Sequence, residues 1–300
     1  MVEFHGVTIE DKPWIQQRIA SREFPTCEYT FGNIFAYSRL LDVKVADYEG
    51  FLLTKDYDKD FVTYCYPVGN GDIRKALDYI VDDGIRSDNE FLIFGLNDND
   101  VKLLNEYFPG KFRIELTRDT FDYVYNRDDL AELKGRKYQA KRNHISFFKK
   151  NYNWSYERIN ENNISECLEM SEQWLEKYES DHKEDLENEL DIIRVFFDNF
   201  NALGCVGGLI RIDGKVVAYT LGEKVNDDIF CIHIEKAFSD IRGAYPMINQ
   251  QFVLNELSDY KYIDREEDLG IENLRKAKLS YYPEILTEKY EAKFINDNKR

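Results

Sequence analysis

Gly208-Leu209-Ile210-Arg211-Ile212-Asp213-Gly214-Lys215 and, further on, Ile229-Phe230-Cys231-Ile232-His233-Ile234-Glu235-Lys236 decide the fold class. The first stretch is apolar and β-branched up to Asp213-Gly214, a pair that closes tight hairpin loops because both residues tolerate positive φ. It predicts a strand over Val206–Ile212, a turn, and a returning strand over Val216–Lys224. The second stretch predicts a further strand over Ile229–Lys236. A helix from about Ala244 to Leu257 and a strand over Tyr260–Asp264 come next, then a helix around 270–280 and a closing strand near 285–294. Helices near 163–178 and 184–202 precede the hairpin. Strands joined through a crossover helix are the mark of an α/β domain.

The first half repeats this order. Helices are expected from Asp11 to Ser21 and over Phe31–Arg39. Gly50-Phe51-Leu52-Leu53-Thr54 reads as a strand, Asp56–Asp60 as a turn, and Phe61–Tyr66 as the hairpin partner. Asp72 caps a helix through Val81, with Ile73, Ala76, Leu77 and Ile80 at helical spacing. Phe91–Phe94 is a strand ended by Gly95, and Asn99–Phe108 a helix stopped by Pro109-Gly110. Phe112–Leu116 and Phe121–Tyr125 complete the set as strands. The hairpin at Gly50 resembles in order the one at Gly208, 158 residues later. Two α/β domains in tandem are therefore expected: an N-terminal domain over 1–133, a basic connecting helix over 134–150, and a C-terminal domain over 151–300 that carries the site.

Composition narrows the function. The 300 residues are 43% hydrophobic, with 20 Phe and 21 Tyr, and this apolar content excludes intrinsic disorder. No apolar run is long enough for a membrane span, and Met1-Val2-Glu3-Phe4-His5-Gly6 lacks the basic and apolar regions of a secretory signal, so a cytoplasmic protein is expected. Five scattered cysteines, Cys27, Cys65, Cys167, Cys205 and Cys231, form no C-x-x-C pair and read as free buried thiols, with no metal site. The net charge is −17, which disfavours extensive contact with nucleic-acid phosphates. Against that background, Lys134, Arg136, Lys137, Lys141, Arg142, Lys149 and Lys150 form a run free of acids, while 161–191 reads as solvated acidic helix faces.

Several residues stand out chemically. On a helix, Lys134, Lys137, Lys141, Arg142 and Lys149 share one arc with Tyr138 and Ile145. That mixture suits either an anion-binding face with an aromatic platform or a helix between domains whose lysines snorkel past packed neighbours. On the strand Ile229–Lys236, alternation places Cys231, His233 and Glu235 on one face. His233 and Glu235 could act as a base and its orienting partner, or form a structural pair. In Ser239-Asp240-Ile241-Arg242-Gly243-Ala244, Ser239 or Asp240 would cap the next helix, and the glycine would let backbone amides approach an anion. Further on, Asp264–Gly270 closes a strand, and Arg275, Lys278 and Tyr282 share one helix face.

Lys134-Gly135-Arg136-Lys137-Tyr138, Lys141-Arg142-Asn143-His144, Ile232–Ala237 and Asp264–Lys278 together resemble the family of the soluble C-terminal domain of the lysyl-phosphatidylglycerol synthases. The resemblance implies a tandem GNAT fold of class α/β (α+β), similar to the Fem-type aminoacyl transferases, with two mixed, mostly antiparallel sheets flanked by helices. It also implies transfer of an acyl or aminoacyl group to a small-molecule amine or hydroxyl acceptor. The favoured donor is acyl-CoA, which needs only a handful of cations; the alternative is aminoacyl-tRNA, which makes tRNA a partner and goes with a lipid or peptide acceptor. By this resemblance Ser239–Ala244 would cradle a CoA pyrophosphate together with Lys141 and Arg142, with Tyr245 and Met247 where the pattern has small residues. Glu235, or a water held by His233, would take the acceptor's proton, and Tyr281 would protonate the leaving group. His144, Arg265, Asp268, Arg275 and Lys278 would contact substrate. A non-catalytic protein that keeps the fold to hold a nucleotide or an acidic metabolite is the expectation from a different class.

Overall fold

The computed structural model describes residues 2–24, 26–58, 61–87, 89–177 and 183–295. They form two compact units, each a mixed, mostly antiparallel sheet flanked by helices. Residues 1–122, 267–275 and 286–300 make one unit, and residues 123–266 and 276–285 the other. This division differs from the one expected at 133 and 150. Its cause is the segment expected as a single closing strand near 285–294. That segment is two strands, Ile285–Thr287 and Tyr290–Phe294, and the second pairs antiparallel with both Glu90–Leu96 and Phe112–Leu116 in the first unit.

In the first unit, Phe61–Cys65 and Glu90–Leu96 pair in parallel and are joined by the helix Ile73–Arg86. Asp72 caps this helix by accepting from the Arg74 amide, and Ala76, Leu77, Ile80 and Val81 supply its buried face. Lys44–Tyr48 is a strand that the sequence reading passed over, because its charged ends mask a core of only Val45 and Ala46. With it counted, Phe51–Asp58 corresponds to Lys215–Lys224, so the two halves match one strand later than the Gly50 and Gly208 hairpins suggest. The turn expected over Asp56–Asp60 lies partly outside the described residues.

The second unit is a sheet in the order Ile285–Thr287, Asp122–Asn126, Tyr262–Asp264, Ile229–Ala237, Lys215–Lys224, Val206–Ile212, Trp154–Arg158. One face is covered by the helix Ala244–Glu256, whose Met247, Ile248, Phe252 and Val253 pack with Ile210, Phe230 and Ile232. Towards the other face, Ser171 of the helix Ile164–Lys177 hydrogen-bonds the Tyr219 hydroxyl at 2.6 Å. The basic helix runs over Gln139–Asn151 and buries Ile145 and Phe148, following a short turn that buries Tyr138.

A bulge in the strand Ile229–Ala237 decides which of its side chains share a face. Ile234 stands opposite Leu221, but Ile232 stands opposite Gly222, so His233 is an extra residue. A single extra residue inverts the facing of everything beyond it. Among the described residues no helix is long and apolar enough to cross a membrane.

Candidate functional site

The strands Ile229–Ala237 and Tyr262–Asp264 pair in parallel only from Ile229 opposite Tyr262 to Cys231 opposite Asp264. Past that point the longer strand continues beside Lys215–Lys224, while the other ends and delivers Arg265. The sheet therefore splays at its strand ends, the position where α/β folds bind ligands. Across the splay Arg265 Nη2 donates to Glu235 Oε1 at 2.9 Å. Asn249 Nδ2, from the helix Ala244–Glu256, donates to Glu235 Oε2 at 3.0 Å. The Arg265 guanidinium lies 4.9 Å from the centroid of the Tyr281 ring and 5.5 Å from that of Tyr125. Lys141 Nζ lies 3.9 Å from the Tyr281 ring centroid. Buried Lys278 holds the backbone beneath, donating to the carbonyls of Arg265 at 2.6 Å and Glu266 at 3.1 Å.

Two polar atoms of this cluster are buried without a partner: Arg265 Nη1 and Asn249 Oδ1. The Asn249 amide cannot be turned to exchange them, because a carboxylate only accepts and must face the NH₂ end. A buried donor and a buried acceptor, on the two residues that hold one carboxylate, each forgo a hydrogen bond, at roughly 1–3 kcal/mol. Charge is tuned here as well. Burial pulls the Lys141 ammonium down to about 8, with repulsion from Arg265 adding and Glu235 opposing. Burial also works against the charge of Arg265, but Glu235 and the neighbouring tyrosines outweigh it and hold the guanidinium above its ordinary value. The Tyr281 phenol is pushed up by burial, against the pull of Arg265.

His233 belongs elsewhere. The bulge turns it away from Glu235, so the expected common face does not form. Its ring stacks on Phe196 at 4.9 Å, with Nδ1 at 2.8 Å from Glu266 Oε1 and Nε2 at 3.2 Å from Glu223 Oε1. Burial disfavours the charged ring, but hydrogen bonds to Glu223 and Glu266 raise its pKa to about 9. The two carboxylates thus favour the protonated ring, a form with no lone pair to serve as a base. Cys231, His233 and Glu266 do offer ligand-type atoms within 4.8 Å of one another, as do Cys27, Asp122 and Glu267 in the first unit. A cation of the chain stands at each: the imidazolium at one, and at the other the Lys289 ammonium, 2.9 Å from Asp122 Oδ1.

The expected anion cradle is built differently. The amide of Ala244 is taken by the Ile241 carbonyl and that of Met247 by the Gly243 carbonyl, while Pro246 has no N–H. Asp240 pairs with Lys177 at 2.6 Å, exposed Ser239 precedes it, and Arg242 stacks on Phe147 at 4.3 Å. Gly243 has φ +94°, and a Cβ there would meet the His144 carbonyl oxygen at 2.5 Å, so the glycine serves helix packing. In the basic segment, Arg142 Nη1 donates to the carbonyls of Leu133 and Gly135, Lys137 pairs with Asp129, and Lys134 with Glu132. Arg142 thus ties the helix entry down, and only Lys141 of the expected phosphate pair joins the cluster at Glu235. His144 is half-buried on the same helix. Asp268 and Arg275 fall in the first unit, where Arg275 pairs with Asp268 at 2.7 Å and with Asp119 at 2.6 Å.

Asn249 and Tyr125 went unnoticed in the sequence. A signal for Asn249 exists: it lies one helical turn from both Tyr245 and buried Val253, a polar residue in an apolar stripe.

The family model for phosphatidylglycerol lysyltransferase, C-terminal, matches residues 20–293. A conserved protein of unknown function from Bacteroides thetaiotaomicron, known from a crystal structure, is 38% identical with a TM-score of 0.94, over 98% of this chain and 100% of that one. An uncharacterised protein of Mycoplasmoides gallisepticum is 26% identical over 197 residues, which make up 63% of this chain and 62% of that relative's length. A tandem GNAT protein from the clavulanic acid biosynthesis pathway aligns over 98% of both chains with a TM-score of 0.53 and 11% identity, a likeness of fold alone.

Proposed function

The chain belongs to the phosphatidylglycerol lysyltransferase C-terminal family, and on that premise we propose that it moves an aminoacyl group from an aminoacyl-tRNA ester to an amine or hydroxyl acceptor at the Glu235–Arg265 cluster. Family and fold are those of GNAT-like acyl transfer. The observation that carries the finer reading is the entry of the helix Ala244–Glu256. Of the four amides at its entry, Gly243 to Pro246, that of Ala244 is bonded to the Ile241 carbonyl and Pro246 has none, which leaves a pyrophosphate fewer donors than a full helix entry would offer. That shortfall supports an ester donor over the acyl-CoA donor favoured from the sequence. An ester on a terminal ribose makes no such demand.

Within the cluster, Glu235 is a holder. Both of its oxygens are engaged, by Arg265 and by Asn249. Lys141, held over the same Tyr281 ring that carries Arg265 and lowered by burial to about 8, is the group placed to take the acceptor's proton in its uncharged form. Tyr281 is the platform that carries Lys141 and Arg265. Lys278 fixes the backbone of Arg265.

The test is calorimetric. 3′-Aminoacylamino-3′-deoxyadenosines of the proteinogenic amino acids, which mimic the end of a charged tRNA, are titrated into the protein beside CoA and acetyl-CoA. At least one aminoacyl analogue is expected to bind, with CoA binding negligible. Binding of CoA alone would reverse the assignment of the donor.

A further inference from the structure

Among the described residues of the cluster, Arg265 is the charged donor that is both fixed and unspent. Its Nη2 is anchored on Glu235 at 2.9 Å, its guanidinium carbon lies 4.9 Å from the Tyr281 ring centroid and 5.5 Å from that of Tyr125, and its carbonyl is gripped by Lys278 at 2.6 Å. Its Nη1 is buried and has no partner. Nearby, Asn249, 1% exposed, leaves Oδ1 without a donor while its Nδ2 shares the same carboxylate. A static ion pair explains Nη2 and leaves Nη1 unexplained. A guanidinium used only for packing would turn both nitrogens to partners or to water.

We propose that Arg265 Nη1 is the hydrogen-bond donor that receives the oxyanion formed when the acceptor attacks the ester carbonyl, with Glu235 as its positioning residue. This rests on the acyl-transfer reading above. In the step, the acceptor's lone pair forms a bond to the carbonyl carbon, and the C=O π pair moves onto oxygen, where Nη1–H meets the charge. The acceptor's proton passes to the lone pair of Lys141 in its neutral amine form, which becomes the ammonium. Collapse re-forms the C=O bond and expels the ribose oxygen with the electrons of the broken C–O bond, and that oxygen takes the proton back from Lys141. Charge and protons balance with no further reagent. A donor held in place before the reaction, in a site shielded from water, costs no reorganisation when the charge appears. Asn249 Oδ1, an acceptor on the other residue that holds the carboxylate, suits the N–H of the incoming group.

The experiment compares a ground-state mimic with a tetrahedral one. The tightest aminoacylamino-deoxyadenosine is the first probe, and the α-aminophosphonate of the same amino acid on adenosine is the second. Dissociation constants are measured for wild type, Arg265→Lys and Glu235→Gln, alongside thermal melts. Because one oxyanion donor is worth roughly 10²–10³-fold, Arg265→Lys should weaken the phosphonate by about that factor while the amide changes by no more than about threefold. Equal loss of both probes, or loss of neither, overturns the role of Arg265 and leaves the acyl-transfer reading standing. Wild type binding no probe overturns that reading and this assignment with it. Should Arg265→Lys not fold, Glu235→Gln decides: it keeps Nη1 but loosens its anchor, so phosphonate binding should fall by about tenfold more than amide binding. An unchanged ratio refutes the proposal.

Discussion

Raising the pH from 6 to 8 should cost the second unit about 2 kcal/mol of stability, through one residue, His233. Its ring is 1% exposed and stands between Glu223 and Glu266. Those carboxylates lift its pKa from the ordinary value of 6.5 to about 9, in spite of burial. Because the folded value lies above the unfolded one, the stabilisation is complete below pH 6.5 and drains away as the pH rises to about 9. One shifted group contributes about 1.4 kcal/mol per unit, so the whole window is worth about 3 kcal/mol, of which roughly 2 falls between pH 6 and 8. Above pH 8 other groups join in. There the lowered pKa of Lys141 works in the opposite direction, and thiols such as Cys65 and Cys167, raised by burial to about 12, begin to differ from their unfolded state. Urea denaturation across pH 6–8 should show the midpoint falling by roughly 0.7 M if m is about 3 kcal/mol/M. His233→Gln should flatten the slope. Direct titration of the imidazole by NMR is the decisive companion. A pKa at or below the ordinary value would refute both the linkage and the exclusion of His233 as a base.

Other expectations rest on single contacts. Gly243→Ala sets a Cβ 2.5 Å from the His144 carbonyl oxygen at φ +94°, and should cost about 2 kcal/mol or more in chemical denaturation. Arg142→Ala should lower stability by about 1–3 kcal/mol, by releasing the carbonyls of Leu133 and Gly135, while leaving aminoacyl-adenosine affinity within about twofold; a large loss of affinity would return Arg142 to the site. Lys289→Met in the first unit leaves Glu28 and Asp122 buried without their cation and should destabilise by about 3–5 kcal/mol; a neutral outcome would mean that the carboxylates protonate freely.

Periodicity carried much of the fold. The strands around Asp213-Gly214 and the crossover helix after Gly243 could be anticipated because hairpin dipeptides and helical spacing are local signals. The separation of His233 from Glu235 could not. Cys231-Ile-His-Ile-Glu235 alternates faultlessly, and the bulge exists only in its register against Leu221 and Gly222. For the same reason Tyr290–Phe294 reads as a strand without revealing which sheet admits it. The basic run shows the limit of counting charges. Arg142 and Lys141 are neighbours in sequence, yet one is spent on carbonyls and the other lies over Tyr281.

The strand Tyr290–Phe294 has a consequence for biosynthesis. It sits inside the first unit's sheet, between Glu90–Leu96 and Phe112–Leu116, with Ala292 completely buried. A ribosome therefore releases both neighbours well over a hundred residues before the strand that joins them. Throughout that interval the two present unpaired edges, the feature by which sheets recruit foreign strands. The unit encoded first is thus the one whose sheet is completed last, once residue 294 has emerged.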